Sequence, residues 1–228
     1  MRCKDTKGWN RCNLLFSGAE NWKPNILQHI NRKDVFLGGL FISVNNSNSS
    51  DSNLRWQGDL DSENWSKARI RVASNWIKTN RKVADLGCGT QILAEEIHEG
   101  CAYTGYDIGK MNAENIYVDL NKKFELNEFY DVVVLLGVLE YLENPISTLR
   151  RLKTYCNEVI ISYVSAKNQH PSNIKMREGI GVKNHLTKNA LTDCLRESDL
   201  TMINDFTIWD NPNDEHLVYH LRWLLHTE

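Results

Sequence analysis

Apolar residues along this chain alternate between two spacings, one typical of helices and one of buried strands. Between residues 65 and 77 they recur every three or four positions, which predicts an amphipathic helix with Asp61 and Ser62 as possible N-caps. Its apolar positions are Trp65, Ala68, Val72, Ala73, Trp76 and Ile77. Short apolar runs predict strands at 82–86, 102–107, 115–119, 131–136 and 158–163. Further helices are predicted at 92–97, from Asn144-Pro145 onward, and after Thr187 as an N-cap.

The order of these elements predicts the fold class. Residues 131–136 are almost all Val and Leu, as expected for a strand buried on both faces of a parallel sheet. The tail alternates between apolar and polar residues at 201–208 and 216–224, which predicts two antiparallel strands that close the sheet. Strands alternating with helices therefore predict one doubly wound, Rossmann-like α/β domain over residues 61–228.

Residues 1–60 lack this pattern and are predicted to form an N-terminal extension that is partly loop or lid. The Asn-, Ser- and Asp-rich run at 45–53 cannot supply a core, so it predicts a loop. The apolar segment 35–42 fits either a hairpin or a docking strand. The segment with Trp56, Trp65 and Arg69 either covers a ligand as a lid, or its tryptophans belong to the core.

Composition narrows the classes of function. Of the 228 residues 41% are hydrophobic, and the net charge is −2, so we expect neither nucleic acid nor an anionic membrane as a partner. The apolar runs are too short to span a bilayer, and the first residues lack the apolar stretch of a secretory signal. The six cysteines form no CxxC pair, so we expect no metal site, no disulfide framework and a cytoplasmic location. The oligomeric state is left open.

The candidate ligand site begins at the glycine-rich turn Gly87-Cys88-Gly89, which joins a predicted strand to a predicted helix. Glycines lack the Cβ that would keep a ligand away from the backbone N–H groups. Asp107 and Asp119 close the next two predicted strands, and an acid at the end of the second strand can bind both hydroxyls of a ribose. With Asp85 before the turn, three acids at successive strand ends predict a ligand that contains a nucleoside.

A dinucleotide is the main alternative ligand. Its fingerprint needs a third glycine for close packing of helix on strand, and this chain has Ile92 at that position. Asp85 would repel a pyrophosphate, whereas it favours a ligand with an amino group and a sulfonium. The pattern therefore argues against an NAD site.

The segment Asp85-Leu86-Gly87-Cys88-Gly89 resembles motif I of the class I S-adenosylmethionine-dependent methyltransferases. Asp107, followed by Ile108, resembles the ribose-binding acid of that family. Asp119-Leu120 resembles the pair beside the adenine. The segment 131–145 is similar to the fourth-strand motif, in which the backbone at Leu136 and Gly137 borders the methionine part.

This resemblance covers residues 61–228 and implies S-adenosylmethionine as cofactor. It also implies a seven-stranded, mostly parallel sheet whose last strand is antiparallel. One departure is Gln91, where many members carry another glycine. Residues 121–124 and 184–187 further resemble methyltransferases encoded with bacterial capsule and surface-polysaccharide genes.

Methyl transfer requires the acceptor atom to lie in line with the methyl group, and a hydroxyl acceptor benefits from a nearby base. His185, which lies between the fifth predicted strand and the Thr187 helix, is the candidate catalytic base. Glu140, Tyr141 and Asn184 are candidates for binding the acceptor, on the side where the strands end. Each of these residues also has a structural interpretation, as a loop, cap or packing residue.

The favoured function is O- or N-methylation of a small-molecule or saccharide acceptor. The first alternative is an RNA or protein methyltransferase, although the near-neutral charge does not indicate a basic groove. The second alternative is a scaffold that binds the cofactor without catalysis.

Overall fold

The computed structural model describes residues 34–37, 40–43, 63–109 and 114–224. Its strands are β1 (Asp34–Leu37), β2 (Leu40–Ser43), β3 (Lys82–Leu86), β4 (Ala102–Asp107), β5 (Ile116–Tyr117), β6 (Tyr130–Leu136), β7 (Cys156–Ala166), β8 (Leu200–Asp210) and β9 (Asp214–Trp223). Its helices are α1 (Glu63–Trp76), α2 (Ile92–Glu96), α3 (Pro145–Leu152), α4 (Pro171–Gly179) and α5 (Lys188–Glu197). A 3₁₀ turn, η1, spans Leu139–Tyr141.

Seven of these strands form one sheet in the order β5-β4-β3-β6-β7-β9-β8. The strands from β5 to β7 are parallel, and β9 runs antiparallel to both β7 and β8. This arrangement confirms the predicted doubly wound α/β sheet with a reversed last strand. It also places the carboxyl ends of β3, β4, β6 and β7 at one edge.

The sheet buries both faces. One face packs on α1 and α2 through a cluster that includes Ile70, Ala73, Ile77, Leu93, Val83, Val134 and Val218. The other face packs on α3 and α5 through Leu149, Leu152, Leu191, Leu195, Val133, Ile161 and Leu217, among others. Burying one such aliphatic side chain stabilises a fold by about 2 kcal/mol, so α1 and α5 are firmly attached to the sheet.

Most predicted elements are present with modest shifts of their ends, but α4 was not predicted. His170 accepts a hydrogen bond from the Ser172 N–H and Pro171 starts the helix, the same pattern that identified the helix after Asn144. The inward side chains of α4 are Asn173 and Arg177, so the helix has no apolar stripe for sequence periodicity to detect.

The strands β1 and β2 pair antiparallel, which agrees with the hairpin alternative for residues 35–42. The predicted loop at 45–53, the possible caps Asp61 and Ser62, and the side chains of Trp56 and Trp65 lie outside the described residues. The division into an extension and a domain at residue 60 remains a prediction.

Candidate active site

The site lies at the turns that directly follow β3 and β6. From β3 the chain continues to β4 on one side, whereas β6 pairs with β3 on the other side. In an open α/β sheet such a switch in direction creates a crevice at the carboxyl ends of the strands, where ligands bind. Gly87 follows β3 with φ +80°, and Gly137 follows β6 with φ +69°. A Cβ at Gly87 would lie 2.5 Å from Val138 Cγ2, so only glycine fits between the two turns.

Backbone hydrogen bonds hold the glycine turn against the end of β4. The N–H groups of Gly87 and Cys88 donate to the Tyr106 carbonyl at 2.7 and 3.0 Å. The Gly89 N–H donates to Asp107 Oδ2 at 2.9 Å, and the Gly109 N–H donates to Asp107 Oδ1 at 2.7 Å. A Cβ at Gly89 would meet nothing within 4 Å, so the turn faces open space. The turn is therefore fixed in shape and accessible to a ligand.

Asp85 lies at the end of β3 and is buried, with 4% of its surface exposed. It accepts a hydrogen bond from the Tyr103 hydroxyl at 2.9 Å. Burial raises the pKa of Asp85 to about 7, and Asp107 adds to this rise, while Tyr103 and Arg69 oppose it. A carboxyl group balanced between its two forms at neutral pH gains from a cation placed beside it. Tyr103 was not identified from the sequence.

The predicted adenine-side pair lies beyond the short strand β5. The Val118 N–H donates to the Asp107 carbonyl at 3.0 Å, which joins this segment to the end of β4. Asp119 accepts from the Asn121 N–H and forms a 3.0 Å ion pair with Lys122. The Leu120 carbonyl lies 3.3 Å from the Thr148 hydroxyl on α3. Asp119 thus lies at the same edge of the sheet, next in line after Asp107.

Arg69 reaches into the crevice from α1. A Cβ at Gly137 would overlap Arg69 Nη1 and lie 3.1 Å from its Cζ, so the guanidinium lies directly over the backbone after β6. Its Nε is buried and has no hydrogen-bond partner among the described groups. Burial lowers the pKa of Arg69, and the nearby acids Glu140 and Asp85 oppose this effect. The sequence suggested this residue only as part of a lid.

Glu140 occupies η1, directly after the end of β6. Its side chain is buried and accepts a hydrogen bond from the Val164 N–H at 2.7 Å through Oε1. Its Oε2 has no partner in the described part of the chain. Burial raises the pKa of Glu140, while Arg69 and Arg177 lower it. Tyr141 follows it in the same turn, with its carbonyl accepting from Asn121 Nδ2 at 3.2 Å.

The loop between α4 and α5 docks on η1. The Lys183 and Asn184 N–H groups donate to the Glu140 carbonyl at 2.8 and 3.3 Å. Asn184 Nδ2 donates to the Leu139 and Leu142 carbonyls at 2.7 and 2.8 Å, and its Oδ1 accepts from Tyr163 at 2.6 Å. These bonds give Asn184 a role in holding the turn. Its predicted role in binding the acceptor remains a prediction.

His185 follows in this loop, with 16% of its side chain exposed. Its Nε2 lies 3.9 Å from Glu178 Oε1, and its Nδ1 is buried without a partner in the residues that the structure describes. Burial and the charge of Arg177 lower the pKa of His185, against the opposing effect of Glu178. The lowered pKa favours the neutral imidazole, which is the form that accepts a proton.

Two further residues on this side were missed by sequence reasoning. Arg177 forms a buried ion pair with Asp214 at 2.9 Å and donates to the Val164 carbonyl at 2.7 Å, which fastens α4 to β7 and β9. His216 on β9 is 3% exposed, and its Nε2 has no partner within the described ranges. Burial, followed by the charge of Arg69, lowers the pKa of His216 to about 3. Neither residue belongs to a local sequence motif, so the sequence provides no signal for either of them.

The residues present fit S-adenosylmethionine. Each oxygen of Asp107 accepts one backbone hydrogen bond and keeps a lone pair free for a ribose hydroxyl. Asp85 is a buried acid, suited to the positive ammonium and sulfonium of this cofactor. The open space at Gly89 leaves room for the ligand beside the turn.

Three further features of the described part of the chain concern metal ligands, membrane-spanning helices and cysteines. No group of three or more His, Cys, Asp or Glu side chains there could hold a metal ion. None of the helices in residues 63–109 and 114–224 is long and apolar enough to cross a membrane. The cysteines at 88, 101, 156 and 194 are free thiols.

Comparison with known proteins identifies the family. A family model described as a methyltransferase domain matches residues 55–205, which is more than half of the chain. No curated protein sequence matches the chain significantly.

Solved structures share the fold at low sequence identity. An S-adenosylmethionine-dependent methyltransferase from Mesorhizobium loti aligns with TM-score 0.55 and 16% identity over 69% of this chain and 96% of that chain. A methyltransferase from Methanosarcina mazei aligns with TM-score 0.52 and 12% identity over 68% and 98%. The N-terminal domain of EvdMO1, solved with SAH bound, aligns with TM-score 0.52 and 12% identity over 70% and 80%.

The family match and the seven-stranded sheet confirm the predicted enzyme class and its cofactor. The chain belongs to the methyltransferase domain family of class I S-adenosylmethionine-dependent methyltransferases.

Proposed function

We propose that this enzyme methylates an oxygen or nitrogen atom of a small-molecule or saccharide acceptor. The observation that supports this most is a set of three buried polar atoms without a partner among the described residues, in η1, in the loop between α4 and α5, and on β9. They are Glu140 Oε2, His185 Nδ1 and His216 Nε2. Buried polar atoms are nearly always hydrogen-bonded to protein, water or ligand. An acceptor rich in hydroxyl or amino groups supplies suitable partners.

The cofactor is proposed to lie across the glycine turn. Asp107 and Ile108 hold the ribose, Asp119 and Leu120 border the adenine, and the backbone of Leu136 and Gly137 borders the methionine part. Gly87, Cys88, Gly89 and Asp85 complete this half of the site. When bound, S-adenosylmethionine supplies an electrophilic methyl group on a sulfonium.

The acceptor is proposed to lie beside Glu140, Tyr141 and Asn184. The main catalytic contribution of the protein would be to hold the reacting atom of the acceptor beside the bound cofactor, which would supply the methyl group and leave as S-adenosylhomocysteine. His185 takes the proton of the acceptor hydroxyl or ammonium, because its lowered pKa favours the neutral imidazole that can accept it. The proton is thus held at His185 until it exchanges with solvent.

Two solved structures with this fold support a small acceptor. One is EvdMO1 in the presence of SAH and D-fucose, at TM-score 0.52, and the other is a mitomycin 7-O-methyltransferase, at TM-score 0.51. A polysaccharide pathway and a cytoplasmic location remain predictions from the sequence.

A structure with TM-score 0.55 to this chain is described as a [4+2]-cyclase, so this fold also serves reactions other than methyl transfer. An RNA or protein acceptor would suit a basic groove, which the net charge of −2 does not favour.

The test combines binding with transfer. Calorimetry of the purified protein with S-adenosylmethionine is expected to give a dissociation constant of about micromolar order. Label from methyl-tritiated S-adenosylmethionine is expected in sugar nucleotides or small hydroxylated acceptors, and not in RNA or protein. Label in RNA at low salt contradicts the acceptor class. Binding without transfer to any acceptor supports the scaffold, and no binding at all contradicts the proposal.

A further inference from the structure

The seven-stranded sheet ends in two edges of very different length. One edge is β5, which has two residues, and the other is β8, which has eleven. Among the described residues no strand pairs with the outer side of β8. Its outward backbone N–H and C=O groups therefore form a row with which another strand can pair.

The side chains of β8 leave this edge unguarded. Six large hydrophobic side chains are exposed in the described residues, and three of them are Met202, Ile203 and Phe206 on β8. Natural edge strands are often guarded by lysine or proline, and β8 contains neither. Register shifts between Met202 and Asn204 and between Thr207 and Trp209 leave a regular stretch at residues 204–207. A second strand can pair with this stretch without interruption.

The two faces of β8 restrict how it can pair with a copy of itself. Asp205 lies opposite Tyr219 and points to the α3–α5 face, whereas Phe206 lies opposite Val218 and points to the α1 face. Antiparallel strands place residues of the same face opposite each other, so a two-fold axis near the middle of 204–207 passes through a residue position. An axis at 205 brings two aspartates together, whereas an axis at 206 pairs Phe206 with its copy and Asp205 with Thr207. The second register avoids the repulsion and adds an aromatic pair.

The two ends of β8 carry opposite charges. At its first residues the exposed Arg196 of α5 lines a groove of about 230 Å³ together with Met202 and Leu224. At its last residue lies the exposed Asp210, which forms a surface ion pair with Lys167. Antiparallel pairing brings the first end of one copy beside the last end of the other, so the basic groove meets the acidic end. This charge complementarity favours a second copy of the chain over an unrelated strand.

We propose that β8 pairs antiparallel with β8 of a second copy of this chain, so that the enzyme is a symmetric dimer whose two sheets join edge to edge. A pair of identical antiparallel strands is self-complementary, as a closed two-fold interface requires. This dimer does not depend on which cofactor or acceptor the enzyme binds.

Analytical ultracentrifugation of the purified full chain measures the dimer directly. At about 100 µM the wild type is expected to have twice the mass of one chain, with a dissociation constant of roughly micromolar order. Phe206→Lys places two like charges opposite each other at the axis, so it should weaken the dimer at least about 10-fold. Phe129→Lys makes the same change at a half-exposed phenylalanine outside β8 and should leave the dimer intact. Arg196→Glu should weaken it roughly two- to fivefold. Circular dichroism verifies that each variant is folded.

The variant Phe206→Cys tests the register separately. Cβ atoms of opposite residues in an antiparallel pair lie about 4.5–5.5 Å apart, so a small adjustment brings two cysteines within disulfide distance. Mild oxidation is expected to link Phe206→Cys into a covalent dimer, whereas Phe129→Cys should stay unlinked.

A wild type that is monomeric at about 100 µM overturns the proposal. A dimer that Phe206→Lys leaves unchanged overturns it as well, because the copies then associate through another surface. If Phe206→Lys does not fold, Phe206→Cys decides, and the absence of a linked dimer after oxidation contradicts pairing at this edge.

Discussion

On the β4 side of the crevice both oxygens of Asp107 accept backbone hydrogen bonds, at 2.9 and 2.7 Å. On the β6–β7 side Glu140, His185 and His216 each keep a buried polar atom without a partner among the described residues. We call these regions the cofactor side and the acceptor side. The cofactor side is held in shape by its own backbone, whereas the acceptor side has buried polar atoms that water or a bound ligand can partner. Substitutions on the two sides should therefore have different signatures.

The largest expected effect comes from the acceptor side. His185→Ala removes the proposed base, so kcat should fall roughly 10²- to 10⁴-fold while cofactor affinity stays unchanged. In the wild type, kcat should fall as the pH drops through a pKa below the usual 6.5 of histidine, because only the neutral imidazole accepts a proton. Steady-state kinetics across pH and calorimetry with S-adenosylhomocysteine measure the two quantities.

The exposed His98, which follows α2 in the chain, provides the matched control, since His98→Ala removes a histidine at the surface. A loss of cofactor affinity in His185→Ala equal to its loss of kcat contradicts the separation of the two sides. Unchanged kcat removes His185 from the proposed mechanism.

The cofactor side should show the opposite signature. Asp107→Ala removes the acceptor of the Gly89 and Gly109 N–H groups as well as the proposed ribose contact. We expect S-adenosylhomocysteine to bind about 100-fold more weakly, which corresponds to about 3 kcal/mol. Asp107→Asn keeps one oxygen as an acceptor, so its loss should be smaller. Affinity within twofold of the wild type in both variants contradicts this role for Asp107.

The same contrast explains how much could be predicted from the sequence. The β3 turn and Asp107 are close in the chain, and each lies at the end of a strand whose apolar run is visible, so motif and geometry coincide. On the acceptor side the contacts join distant residues, such as Arg177 and Asp214, which are 37 positions apart. No local sequence pattern predicts a contact between two residues so far apart in the chain. Helix α4, which carries Arg177, was not predicted either, because its inward residues are polar and give no apolar periodicity.

Asp85 should make cofactor binding depend on pH. Because its pKa is about 7 in the free protein, Asp85 is only partly ionised at neutral pH. A cationic ligand binds the ionised form more tightly, and its binding in turn favours ionisation. Affinity for S-adenosylmethionine should therefore rise about tenfold between pH 6 and pH 8 and level off above. Asp85→Asn should abolish this dependence, as calorimetry at several pH values would show.

Tyr103→Phe sharpens this test. The Tyr103 hydroxyl donates to Asp85 and lowers its pKa, so removing the hydroxyl should shift the rise in affinity to higher pH. A wild-type affinity that is constant between pH 6 and pH 8 contradicts the buried, partly protonated state of Asp85.

The smallest expected effect concerns Gln91, which lies on the cofactor side where many members of the family carry a glycine. Gln91 has φ 64° and ψ 28°, the left-handed region in which a side chain costs about 1 kcal/mol relative to glycine. Its amide nitrogen is buried near Gly105 without a partner among the described groups, so the side chain adds packing but no hydrogen bond. Comparing Gln91→Gly with Gln91→Ala removes the side-chain packing from both and leaves the backbone difference. Chemical denaturation should find the glycine variant more stable by about 1 kcal/mol, with cofactor affinity alike in the two. An alanine variant as stable as the glycine variant indicates that the turn relaxes out of the left-handed region, in which case the cofactor side is less rigid than its hydrogen bonds suggest.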